Sequence, residues 1–156
     1  MQVRLIAVGS RAPGWVRAAC EDYLRRLGSR FEVSVTEIGL GPRSGGRSIA
    51  RAVAREGERV LAALRREDYL VALDERGTEF STRELAAWLK TRTEEGTDLA
   101  FVIGGPDGLA PEVLSRSRLR WSLTRLTLPH ALVRVLLAEQ LYRAASLLAG
   151  HPYHRD

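Results

Sequence analysis

A repeated change of hydrophobic period constrains this chain more than any other feature. Residues 3–8 are a continuous apolar, β-branched run broken only by Arg4, which suits a buried strand. Residues 15–27 then switch to helical spacing, with Trp15, Ala18 or Ala19, Tyr23 and Leu27 recurring. Alternation returns over 31–38, where Phe31, Val33 and Val35 share one face. A long helix is predicted over 48–66 on Ile49, Val53, Val60 and Leu64. Gly57 inside it costs about 1 kcal/mol relative to alanine. A third apolar run, 69–73, ends at Asp74. Ser81 with Glu84 three residues on forms a capping box, and Gly96 is the predicted stop of that helix. A fourth run over 99–103 leads into Gly-Gly-Pro-Asp-Gly, and a short helix follows Pro111. Residues 121–128 are read as a last strand and loop. Pro129 then stands at the first helical position of a final helix ending at Gly150.

Strands that alternate with helices argue for an α/β fold: a mostly parallel sheet flanked by helices. At 156 residues the chain is read as a single domain, 1–156, with no internal repeat or linker. Ligands of such folds gather outside the carboxyl ends of the strands. Three segments fall there: the loop after Leu73, the loop after Ile103, and residues 123–128.

Charge adds a class of partner. The net charge is +5, but residues 1–66 carry +7, residues 67–115 carry −7 and residues 116–156 carry +5. A basic start and end around an acidic middle suit a polyanion met by one part of the surface. An arginine-biased composition would give the same totals. Cys20 is the only cysteine, so no bridge forms within the chain, and a reducing compartment is expected. The first residues read as a strand and not as a signal peptide, and no uncharged stretch reaches the roughly 18 residues of a membrane span. The expectation is a cytoplasmic protein without membrane contact.

Several chemistries find no support. Residues 103–108 match neither the dinucleotide fingerprint nor a phosphate-binding Walker loop, although paired glycines let a ligand approach the backbone. They also fit a plain tight turn. Of the three histidines, His151 and His154 lie in the tail and His130 stands alone, with no Cys or carboxylate at ligand spacing, so no metal site is expected. Cys20 reads as packing, and no GxSxG elbow is present.

The final helix, Leu-Thr-Leu-Pro-His-Ala-Leu-Val-Arg-Val-Leu-Leu-Ala-Glu-Gln-Leu-Tyr-Arg-Ala over 126–144, is apolar almost all round. At 100° per residue His130 and Arg134 share one face, and Glu139 and Arg143 share the opposite one, four apart, as an ion pair prefers. A helix apolar on every side is covered on every side. Either it is fully internal, or a second copy of the chain covers part of it; the expectation is a homodimer using this helix. The tail His-Pro-Tyr-His-Arg-Asp offers Tyr153, His154 and Arg155, groups able to stack on a base, hydrogen-bond it and offset negative charge.

Taken together, Ala-Val-Gly-Ser at 7–10, Ile-Gly-Gly-Pro-Asp-Gly-Leu at 103–109, the 126–144 segment and the terminal His-Pro-Tyr-His-Arg-Asp resemble the RlmH family. These are large-subunit ribosomal RNA methyltransferases of the SPOUT superfamily, and the resemblance spans the whole chain. It implies a C-terminal trefoil knot, a homodimer, and S-adenosylmethionine as cofactor. Carried over, the cofactor positions are Leu73, Gly104, Gly105, Leu123, Thr124, Arg125, Leu126, Thr127 and Leu128. The implied reaction is methylation at N3 of a pseudouridine in 23S rRNA, within free RNA or the ribosome. The catalytic candidates are His130, Arg143, Tyr153, His154 and Arg155. Arg143 or Arg155 would favour the anionic base, His154 or His130 would accept the proton, and Tyr153 would position the ring. The Gly- and Arg-rich loop 39–47 departs from the family pattern, which leaves its RNA role open. Two alternatives stand beside this reading: a non-catalytic RNA- or ribosome-binding protein, and a related knotted methyltransferase acting on tRNA.

Overall fold

A computed structural model describes residues 1–9, 11–44 and 48–153. Five strands, β1 (Gln2–Val8), β2 (Glu32–Ile38), β3 (Tyr69–Glu79), β4 (Leu99–Ile103) and β5 (Leu119–Ser122), form one sheet in the order β2-β1-β4-β3-β5. Every neighbouring pair is parallel. Five helices accompany them: α1 (Gly14–Arg26), α2 (Ile49–Ala63), α3 (Thr82–Glu94), α4 (Pro111–Arg116) and α5 (His130–Leu148). This is the expected α/β architecture.

The strand period of two divides the core. Val3, Leu5, Ala7, Val71, Leu99, Phe101 and Ile103 point to the face covered by α1, α3 and α5, where Leu85, Leu89, Leu137 and Leu141 meet them. Ile6, Val8, Leu70, Ala100 and Val102 point to the other face, under Val53 and Val60 of α2 and Val113 of α4. The central strands are buried on both faces, which is why they read as unbroken apolar runs. Strand β2 is an edge strand, and its Val35 is exposed.

The helix signals act locally as expected. Ser81 accepts from the Glu84 N–H while Glu84 accepts from the Ser81 N–H, closing the capping box. Gly96 follows α3 with φ +65°, where a side chain would be strained. Gly57 has a packing reason. A Cβ there would meet the Ala110 Cβ at 2.5 Å, so glycine lets α2 lie against the start of α4.

Four expectations need correction. Strand β3 does not end at Leu73 but continues to Glu79. Leu73 and Thr78 both pair with Trp121, so residues 74–77 bulge out of the sheet. Strand β5 begins at Leu119, two residues before the expected start, and stops at Ser122, with 123–128 as the expected loop. Pro129 is the N-cap of α5, one place earlier than the first-turn position. In α1 it is Val16 that is buried, whereas Trp15 is 57% exposed.

The long apolar helix is covered in part by the chain itself. Helix α5 packs against both α1 and α3, and Leu132, at 37%, is the one large apolar side chain it exposes. The chain's own helices thus cover one side of it, while Val135, Leu136, Leu147 and Leu148 stay only half-buried. No helix among the described residues is long and apolar enough to cross a membrane.

Candidate active site

A cleft of about 780 Å³ opens outside the carboxyl ends of β3, β4 and β5. Its walls are the bulge Asp74, Glu75 and Arg76, the turn from Gly104 to Leu109, and the segment after β5. The interior is mainly aliphatic, with Leu73, Ile103, Leu114, Leu123, Leu128 and Val133 contributing. Gly104, Leu123, Thr124, Leu126, Thr127 and Leu128 of the lining lie outside helix and strand. Three carboxylates, Asp74, Glu75 and Asp107, stand at the lining.

The turn is tight for a definite reason. The Gly108 N–H donates to the Gly105 carbonyl at 3.1 Å. A Cβ on Gly104 would lie 2.8 Å from the Gly108 carbonyl carbon, so the turn folds back only over a residue without one. Ser122 Oγ donates to the Thr124 carbonyl at 3.0 Å, and the Leu126 N–H donates to Thr124 Oγ1 at 3.1 Å. The third segment is therefore held as a compact turn by its own side chains.

Eight of the nine expected cofactor positions line this one cleft: Leu73, Gly104, Gly105, Leu123, Thr124, Leu126, Thr127 and Leu128. Arg125 does not. It pairs with Glu79 at 2.9 Å and is directed to solvent. His130, at the first turn of α5, also lines the cleft. Two buried polar atoms among the lining residues have no protein partner, Trp121 Nε1 and His130 Nε2. A buried donor or acceptor left unmatched is costly.

His130 Nε2 sits close against Gly9, with the Arg134 guanidinium beside it. Burial and the Arg134 charge push the imidazole below its ordinary value, and a backbone contact with Val8 works the other way. His130 is thus held neutral. Arg134 is itself buried and donates to Glu37 at 2.7 Å. Burial acts to raise the Glu37 carboxyl, but the Ala12 N–H and Arg134 prevail and hold it below the usual range.

The second group of candidates gathers elsewhere. Arg143 donates to Glu139 Oε1 from both Nε (2.8 Å) and a terminal nitrogen (2.5 Å). Tyr153 donates to the same oxygen at 3.2 Å, stacks near Tyr142 at 4.5 Å between centroids, and lies under the Arg143 guanidinium. The hydrogen bonds to Glu139 raise the Arg143 pKa. Burial, with Tyr23 and Glu139, pushes Tyr153 up to about 12. At neutral pH it is a phenol, a donor and not a base. None of these side chains lines the cleft. Arg143 is 13 residues beyond His130 on one helix, about 20 Å along its axis at 1.5 Å per residue. A single chain therefore does not bring Arg143 and Tyr153 together with His130. His154 and Arg155 lie outside the described residues.

Comparison with known proteins settles the lineage. A family model described as "Predicted SPOUT methyltransferase" matches residues 1–154. The chain belongs to the RlmH family of SPOUT methyltransferases. It is 51% identical to the Ribosomal RNA large subunit methyltransferase H of Chromohalobacter salexigens over 155 residues, 99% of this chain and 100% of that one. It is 53% identical to the protein of the same name from Alkalilimnicola ehrlichii, covering 99% of each. Among solved structures it resembles a probable methylase family protein from Haemophilus influenzae, with TM-score 0.57 and 16% identity over 99% of this chain and 70% of that one. That likeness concerns the SPOUT methyltransferase fold alone.

Two features of the site escaped the sequence. The carboxylate-bearing bulge 74–77 looks like an ordinary turn, because Asp-Glu-Arg-Gly is turn chemistry. Glu37, the partner of Arg134, is 97 residues away from it in the chain, and no local pattern joins them.

Proposed function

We propose that this chain methylates N3 of a pseudouridine in large-subunit ribosomal RNA, using S-adenosylmethionine, and that it does so as a homodimer in the cytoplasm. The observation that carries the reading is the convergence of the strand-end segments on one cleft, with backbone and aliphatic walls and carboxylates at the rim. Those are the kinds of group such a cofactor needs. Main-chain groups of Gly104 and of 123–128 would hold its polar ends. Leu73, Leu114 and Leu128 would cover its apolar parts, and Asp74 or Glu75 would favour its cationic sulfur. The names of the relatives supply the RNA class. The reading includes the trefoil knot of the family, with the segment after β5 threaded beside the turn after β4.

When bound, S-adenosylmethionine supplies an electrophilic methyl group on a sulfonium. The rest falls to the side chains. The ring nitrogen must shed its proton, and His130, unprotonated at neutral pH and on the lining of the cleft, is the acceptor in this reading. Arg143, held as a cation and aimed by Glu139, favours the anionic base. Tyr153, still protonated, hydrogen-bonds and orients it. Because Arg143 and Tyr153 lie a helix length from their own cleft, each site takes His130 from one chain and the Arg143 cluster from the other, together with that chain's His154 and Arg155. Exposed Trp15 and Leu132, and Leu126 at 74% exposure, provide apolar surface for such a pairing.

The decisive assay mixes the protein and labelled S-adenosylmethionine with ribosomal RNA or ribosomes lacking the modification, and with tRNA. Label on N3 of a pseudouridine in the large-subunit RNA is the expected result. Label on tRNA alone, or saturable RNA binding with no transfer, would overturn it. Sedimentation of the same sample should show a dimer.

A further inference from the structure

The loop before α2 does more than connect. Arg43 reaches from it to two elements at once. Its Nε donates to Asp107 Oδ2 at 2.7 Å, and a terminal nitrogen donates to Glu56 Oε1 at 2.5 Å and to the Gly41 carbonyl at 3.0 Å. Glu56 is no surface partner. Its side chain is 3% exposed, and it also accepts from the Gly41 N–H at 2.8 Å. Its other oxygen, buried and without a hydrogen-bond partner, lies 3.6 Å from where a Cβ of Gly105 would stand. Asp107 is the tip of the Gly105–Gly108 turn and lines the cleft.

From this geometry we infer that Arg43 and Glu56 are positioning residues, fixing the shape of the 104–108 turn and so the affinity for the methyl donor. The inference rests on the reading that this cleft holds that donor. A planar guanidinium can span two carboxylates in fixed directions, which an ammonium cannot do in the same way. The bridge links a buried anchor on α2 to a turn that has only one backbone hydrogen bond across it, from Gly108 to Gly105. A charged pair with one buried member is costly to break, unlike an exposed one. Removing Arg43 leaves two neighbouring anions and a turn held by its own backbone hydrogen bond alone. Neither Arg43 nor Glu56 lines the cleft, so their effect runs through the turn.

The test is calorimetric titration of S-adenosylmethionine into the whole purified protein, with amide exchange at Gly108 measured without ligand. Arg43→Ala is expected to weaken donor binding roughly tenfold, about one charge-assisted hydrogen bond. Gly108 should exchange faster, and kcat at saturating donor should stay within about twofold while KM for the donor rises. Unchanged affinity with unchanged exchange would overturn the inference, as would a fall in kcat at constant KM. Should Arg43→Ala not fold, Arg43→Lys keeps a charge beside Glu56 and serves instead. Combined with Asp107→Asn it should give less than the sum of the two losses. Full additivity would mean that Asp107 touches the donor directly, and would also overturn the inference. If the unmodified protein showed no saturable heat, the reading of the cleft would fail, and Gly108 exchange would still decide whether the bridge shapes the turn.

Discussion

The two ends of the sheet are built on opposite terms. At the amino ends of the strands, polar groups are matched. Arg4 is buried and pairs with Asp68 and with Gln2, Gln2 Oε1 also accepts from Arg65, and the Gln2 N–H donates to Asp98. Asp68 additionally takes the Arg65 N–H. At the carboxyl ends, matching is incomplete. Of the buried side-chain atoms lacking a partner among the described residues, those of Arg43, Glu56, Trp121, His130 and Arg134 lie around that end, and only Arg92 Nε lies at the other. One end is finished by the fold; at the other, two of the unmatched groups, Trp121 and His130, belong to the lining of the cleft. Unmatched buried polarity is tolerated where binding supplies the match.

The sharpest way to break this contrast is to damage the finished end. Asp68→Ala strands the buried Arg4 and should lower folding stability by about 3–5 kcal/mol. The folded fraction should bind S-adenosylmethionine as before, which urea unfolding and calorimetry together would check. A selective loss of binding would mean the two ends are coupled. At the unfinished end, Arg143→Ala should reduce single-turnover methyl transfer by about a hundredfold, as for removal of one transition-state donor. Donor affinity should hold, because Arg143 lies outside its own chain's cleft. Mixed dimers of Arg143→Ala with His130→Gln should recover part of the activity, since one cleft then keeps both groups. No recovery would argue that each site is built within one chain.

A smaller effect is expected from Gly104→Ala. The new methyl meets the backbone of Gly108 and must displace the turn, weakening donor binding by roughly tenfold, comparable to losing one good hydrogen bond, with a loss of about 1–3 kcal/mol in folding stability. The smallest is a matter of slope. The His130 pKa lies below its ordinary 6.5, so the unfolded chain takes up the proton first as pH falls, and stability falls with it. Between pH 7 and 5 the protein should lose stability that His130→Gln keeps. Parallel curves from denaturant titrations would show that the imidazole is not held neutral.

Much of this was legible in the residues, and the division is physical. The elements with local signals were readable: the apolar runs, the Ser81–Glu84 box, the Gly96 stop and the Glu139–Arg143 spacing. The cleft was readable too, because strand ends in a parallel sheet share one edge. What failed depended on distant partners. The sequence of helix α5 does not reveal that α1 and α3 are the elements flanking it. Gly57 looked like a defect until Ala110 was found against it. Arg43 sat in a stretch that reads as flexible, and only the fold brings it to Asp107, 64 residues on.

The bulge in β3 carries a last consequence. Residues 74–77 leave and rejoin the same strand, and β5 grips that strand on both sides of the departure. Evolution can rewrite Asp74, Glu75 and Arg76 there while the sheet beneath keeps its register. Such a segment is where relatives of one architecture can diverge in what they accept, without each change threatening the fold.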